Sequence, residues 1–196
     1  ARSMPLTILV GRPYSGEEIS RQEKTQFGAG HTLQAGPSAI KYRDAAGRIR
    51  TDRRALLPIV MLNATALPIV PEIVDPVAGF IYYLDTINRV AHRMLLLPGS
   101  FRIITAPLHT AFQASTTKEN DLVRSTQPLG TEIINGIEAQ GGRITTTYAA
   151  DTVGNERPLV TTMEIWTSPE LGFTVRSRNS DPRTGEFTNE VINIKR

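Results

Sequence analysis

Turn-forming residues return about every ten positions along this chain, and almost no stretch between them carries a helical period. That spacing suits strands, which usually run to about five or six residues, better than helices. The tail shows the grammar most fully. Trp166 closes an apolar run, Ser168-Pro169-Glu170-Leu171-Gly172 turns the chain, and residues 173–178 alternate apolar and polar. Asp181-Pro182-Arg183-Thr184-Gly185 turns it again before a last alternating run to Ile194. Strands joined by short turns predict an antiparallel meander. The turn Asp-Pro-x-x-Gly also occurs at Asp75-Pro76-Val77-Ala78-Gly79. In it the Asp side chain caps the turn, Pro presets φ and Gly supplies the left-handed exit.

The same logic runs through the rest. Asp44-Ala45-Ala46-Gly47 predicts a hairpin between residues 38–43 and 48–53. Asn135-Gly136 is the sharpest two-residue hairpin signal, because both residues tolerate positive φ. Residues 54–71 are rich in Leu, Ile, Val, Ala and Pro and read as a strand pair or an apolar flap. Residues 98–128 read as an irregular connection, with Thr116-Thr117-Lys118-Glu119 capping one short helix through Val123. The expectation is a mainly β protein: an antiparallel curved sheet or half-open β-barrel with few short helices, in one β-rich domain over residues 1–196.

Composition narrows the chemistry. With 196 residues, 40% of them hydrophobic, the chain can bury a core. It has no cysteine, which removes thiolate catalysis, disulfides and thiolate metal sites. The net charge of +3 is mild and the arginines are scattered, so no nucleic acid partner is expected. No apolar run reaches the ~18 residues of a membrane-spanning helix, so any membrane contact is peripheral. Nor does the N-terminus show a basic region, a long apolar stretch and a cleavage site in order.

His31, His92 and His109 each stand alone, without ligand spacing. No nucleophile elbow, P-loop or dinucleotide fingerprint occurs. Asp44, Asp75, Asp85 and Asp181 all open turns, which accounts for them without calcium. Nothing puts two of Glu138, Glu164 and Glu170 on one face as a glycosidase carboxylate pair. Neither metal nor cofactor is expected, and the reading is non-catalytic.

What remains is shape. A curved antiparallel sheet offers a concave apolar face. Leu57 and Ile59, with Phe80, Tyr82, Leu84 and Trp166, are the candidate ligand-lining residues. Arg48, Arg50, Arg53 and Arg54 form the basic cluster; Arg48 and Arg50 share a strand face and are the candidates for an anionic contact. The plainer reading of that cluster is a charged strand edge that discourages aggregation.

Several blocks carry a resemblance. Residues 41–52 (KYRDAAGRIRTD), residues 75–85 (DPVAGFIYYLD) with the following RVAHRM, and residues 129–194 with WTSPELG and SDPRTGE resemble an uncharacterised family of exported bacterial proteins. More loosely, the succession through Asp75, Tyr82, Asp85 and Arg89 resembles the periplasmic lipoprotein-carrier (LolA/LolB-like) superfamily, half-open barrels with helices plugging an apolar cavity. This chain has less helix than such a plug needs. The resemblance implies a periplasmic or otherwise exported protein. Two functions follow as expectations: binding of a lipid or other apolar ligand in a concave sheet face, or a structural module of the envelope that holds a protein or polysaccharide.

Overall fold

The computed structural model describes residues 6–26, 30–35, 39–54, 69–97, 99, 101–105 and 112–196. They form strands β1 (Leu6–Leu9), β2 (Tyr14–Gln26), β3 (Gly30–Ala35), β4 (Ala39–Arg43), β5 (Ile49–Arg54), β6 (Ile69–Asp75), β7 (Phe80–Asp85) and β8 (Val90–Leu95). Then follow β9 (Phe101–Ile104), β10 (Ser115–Glu119), β11 (Leu122–Ile134), β12 (Ile137–Tyr148), β13 (Leu159–Ser168), β14 (Phe173–Asp181) and β15 (Gly185–Lys195). No helix occurs among the described residues. The hydrogen-bonded order is β10-β11-β12-β13-β14-β15-β2-β4-β5-β6-β7-β8, an open path, with β3 on β2 and a separate parallel pair β1–β9.

The described residues gather into two compact units, the first from 1–18, 37–107 and 192–196, the second from 19–36 and 108–191. Strands β2 and β15 contribute a part to each.

In the first unit, β4 to β8 form an antiparallel meander. Its turns are those the sequence predicts. Asp44 accepts the Arg48 N–H at 2.9 Å, and Asp75 accepts the Val77 and Ala78 N–H groups at 2.9 Å each. Asp85 caps its turn the same way through Ile87 and Asn88. Alternation gives the meander two faces. One is packed: Val74 is buried with Ile8 and Leu96, and Ile49, Ile81 and Phe101 pack against them. Gly47 sits over this core at φ +84°, where a Cβ would meet the Ile8 and Val10 side chains at 2.9 Å. Arg43 is buried at the margin, its Nε donating to the Arg12 carbonyl at 2.8 Å and its guanidinium 4.8 Å from the Tyr14 ring. The other face is open and is described below.

In the second unit, β11 to β15 continue the antiparallel pattern. Asn135 and Gly136 take φ of 51° and 77°, the two-residue hairpin their sequence predicts, closed by the Ile134–Ile137 pair. The tail forms as read: β13, β14 and β15 are joined by the 169–172 and 182–184 turns, with Ser168 capping the first and Asp181 the second. Two bulges bend these strands. Leu129 is unmatched between Pro128 and Gly130, and Val175 between Thr174 and Arg176.

Three expectations are corrected. Residues 115–123 are not a short helix but the β10–β11 hairpin, turned at Asn120 with φ 50°. Thr116 and Thr117 are β-branched and favour strand over helix, while Asn120 accepts the left-handed turn. The stretch 98–128 is not uniformly irregular, since it carries β9, β10 and the start of β11. And β5 is no edge: it pairs with both β4 and β6, so the arginine cluster does not guard one. The apolar stretch over 55–68 lies outside the described residues.

Candidate functional site

The open face of the first unit follows from strand register. Tyr42 on β4 pairs with Arg50 on β5, Arg50 with Ile73 on β6, Ile73 with Tyr82 on β7, and Tyr82 with Arg93 on β8. These positions share one face, and residues two away join it. Leu84 lies next along β7, and Asp44, Arg48 and Asp75 stand at the turn end. Together they line an open concavity of about 500 Å³, bounded by Tyr42, Asp44, Arg48, Arg50, Ile73, Asp75, Tyr82 and Leu84.

Its middle is apolar and aromatic, and its charges are paired. The Arg48 Nε donates to Asp44 at 2.6 Å. Arg50 grips Asp52 with both Nε and Nη2, at 2.6 and 3.0 Å. Burial alone would raise the Asp44 carboxyl; hydrogen bonds and charge from Arg48 outweigh it and hold the group below the usual carboxylate range. Asp75 is tied to its own turn amides. These local pairs fix the charged groups close to their own strands and leave the tyrosines and Ile73 open. Tyr42 is 41% exposed.

Four of the sequence candidates, Tyr82, Leu84, Arg48 and Arg50, meet in this concavity. Phe80 adjoins it, its ring 6.1 Å from that of Tyr82 and capped by the Arg93 guanidinium at 4.8 Å. Trp166 belongs to the second unit and packs there: its ring lies where a Cβ on Gly141 would come within 2.5 Å of it. Leu57 and Ile59 lie outside the described residues. The sequence reading missed Tyr42 and Arg93, while Ile73 closes the apolar stretch that it had set beside the concave face. The predicted Asp44–Gly47 hairpin fixes the Tyr42–Arg50 pairing, so Tyr42 could have been found from it.

Other features have simpler roles. Arg143 pairs with Glu164 at 2.7 Å, Arg178 with Glu186 at 2.7 Å, and Arg176 with Glu190 at 3.0 Å, across strands of the second unit. With Thr145, Thr162 and Ser180, the first four line a shallow polar hollow of about 330 Å³. Glu138, five residues from Arg143 on β12, lies on the opposite face from Glu164, so these two form no carboxylate pair. His92 is exposed on β8 opposite Tyr83. Among the described residues no three His, Asp or Glu groups could together hold a metal ion.

No family model matches the chain, and no curated protein does. Among solved structures it is similar to a candidate lipoprotein from Parabacteroides distasonis ATCC 8503, with TM-score 0.39 and 9% identity over 99% of this chain and 100% of that one. It is similar to a LolA superfamily protein from Nitrosomonas europaea, with TM-score 0.32 and 8% identity over 94% of this chain and 86% of that one. A candidate outer membrane lipoprotein-sorting protein domain from Vibrio parahaemolyticus gives TM-score 0.29 and 9% identity over the same shares, 94% and 86%. At such distance the likenesses say nothing of what this chain binds.

Proposed function

We propose that this protein is a non-catalytic binder of a lipid or other apolar ligand, held on the open face of the first unit. The observation that carries the reading is the cross-strand row Tyr42–Ile73–Tyr82 with Leu84: aromatic and aliphatic groups lining an accessible concavity while the arginines beside them are paired with aspartates. Exposed apolar surface arranged as a concavity is the usual signature of a ligand or partner site. The sequence resemblance to exported proteins supports a place in the bacterial periplasm or envelope.

The test is native mass spectrometry of protein purified without detergent, with organic extraction of whatever co-purifies. A bound apolar molecule, lost in Tyr82→Asp, supports the reading and names the ligand class. A clean apo mass that persists after incubation with a mixed lipid extract overturns it.

One observation favours a second reading, an envelope interaction module. Among the described residues strand β8 ends the ladder with β7 as its partner, and all six of its residues are exposed, Val90, Met94 and Leu95 among them. Such an edge can accept a partner's strand. Capture of a protein partner that Met94→Pro abolishes, with no lipid retained, would move the function there.

A further inference from the structure

The sequence singles out Arg48 and Arg50 for an anionic contact, yet both guanidiniums already hold carboxylates, Asp44 and Asp52. Arg93 differs. It occupies the same face, directly across from Tyr82. Among the described residues no carboxylate pairs with it, and its guanidinium rests 4.8 Å from the centre of the Phe80 ring. An arginine stacked on an aromatic ring keeps its planar donor edge available, since stacking uses the face of the guanidinium. The row therefore has a polarity: a donor-bearing cation at β8, then Tyr82, Ile73 and Tyr42 in succession. Strands lie ~4.8 Å apart, so the row from Arg93 to Tyr42 spans roughly 19 Å, the reach of an extended acyl chain. The one charged position along it, Arg50, is neutralised by Asp52 and can offer its aliphatic stem.

We propose that Arg93 receives the head of a single-chain monoanionic amphiphile, a fatty carboxylate, whose tail runs across Tyr82 and Ile73 toward Tyr42. The proposal rests on the apolar-ligand reading above and adds the class of ligand to it. A single negative charge is what the face matches. Arg48 and Arg50 are engaged by Asp44 and Asp52, which leaves one guanidinium, that of Arg93, among the described side chains of this face to meet the head.

The experiment is calorimetric titration of the full chain at about pH 8, where a carboxylate is ionised. The probes are dodecanoate, its uncharged methyl ester and dodecyl phosphate. The expected result is that wild type binds dodecanoate about tenfold tighter than the ester, as a charge-assisted contact gives. Arg93→Gln brings that ratio near one. Arg93→Lys, which keeps the charge without the fork, loses roughly threefold for dodecanoate, and stands in if Arg93→Gln fails to fold. A dodecanoate-to-ester ratio that survives both substitutions overturns the head assignment and leaves the apolar reading intact. Tighter binding of dodecyl phosphate than of dodecanoate overturns the monoanion. If wild type binds neither dodecanoate nor the ester, both proposals fall together.

Discussion

The open face of the first unit and the charged face of the second are built from the same parts and come out differently. Each is a set of cross-strand rows on an antiparallel meander, and each uses arginine–carboxylate pairs. In the first unit the pairs are local: Arg48 with Asp44 across one tight turn, Arg50 with Asp52 along one strand. In the second they cross from strand to strand, Arg143 to Glu164, Arg178 to Glu186 and Arg176 to Glu190, with hydroxyls between. A local pair settles its charges within one hairpin, so the adjoining strands can present Ile73, Tyr82 and Leu84. A cross-strand pair occupies the middle of the sheet and leaves a polar surface. Where the ion pairs are made decides which face can hold an apolar molecule.

The comparison can be broken or sharpened by substitution. The largest effect is expected for Trp166→Ala, which removes a buried ring in the second unit: a loss of about 3 kcal/mol or more in urea denaturation. Acyl-probe affinity of the folded variant should stay within about twofold of wild type, and a large loss would return Trp166 to the list of ligand contacts. Next is Tyr82→Asp, which puts a charge in the open face. Binding of an acyl probe should fall by roughly thirtyfold, about 2 kcal/mol, while the urea midpoint shifts little because the ring is half-exposed. Glu164→Gln, on the charged face, should cost about 0.5 kcal/mol, less in high salt, and leave binding unchanged.

The smallest effect concerns pH. Hydrogen bonding from Arg183 holds the Asp181 carboxyl below its usual range, and hydrogen bonds from Arg48 do the same for Asp44 against its burial. Both folded values lie below the unfolded value of about 3.9. The stability they supply is therefore complete above about pH 4 and is lost as pH falls through the folded values. Thermal melts from neutral to acid pH should show the decline, and Asp181→Asn should make it shallower. An unchanged acid limb in that variant would remove the turn carboxylate from the account.

Local chemistry was the legible part of this chain. Asp75, Asp85, Asp181 and Asn135-Gly136 each write a turn into the few residues around them, and those turns formed. Half of the site was legible for the same reason: the Asp44–Gly47 hairpin sets Arg50 beside Tyr42, and alternation puts Tyr82 and Leu84 on one face. What could not be read is non-local. Nothing near Trp166 announces that Gly141, on another strand, leaves room for its ring. Nothing near Arg93 says that β8 ends the ladder or that Phe80 lies under its guanidinium. The helix expected after Thr116 failed because a capping pattern and a Thr-rich strand look alike over four residues, and Asn120 decided between them.

Strands β2 and β15 are neighbours in the ladder although their sequences lie far apart. Ser20 is hydrogen-bonded to Asn189, 169 residues away, and Asn193 to Glu17, 176 residues away. The first contact lies within one unit and the second within the other. Neither unit can be completed until residues 185–195 have left the ribosome. Contacts of such separation are slow to form, because most of the chain must be held while its two ends search for each other. A nascent chain of this protein would carry unpaired strand edges through most of its synthesis, a state in which aggregation competes with folding. The order of its strands thus leaves the pairing of β2 with β15 to the last step of synthesis.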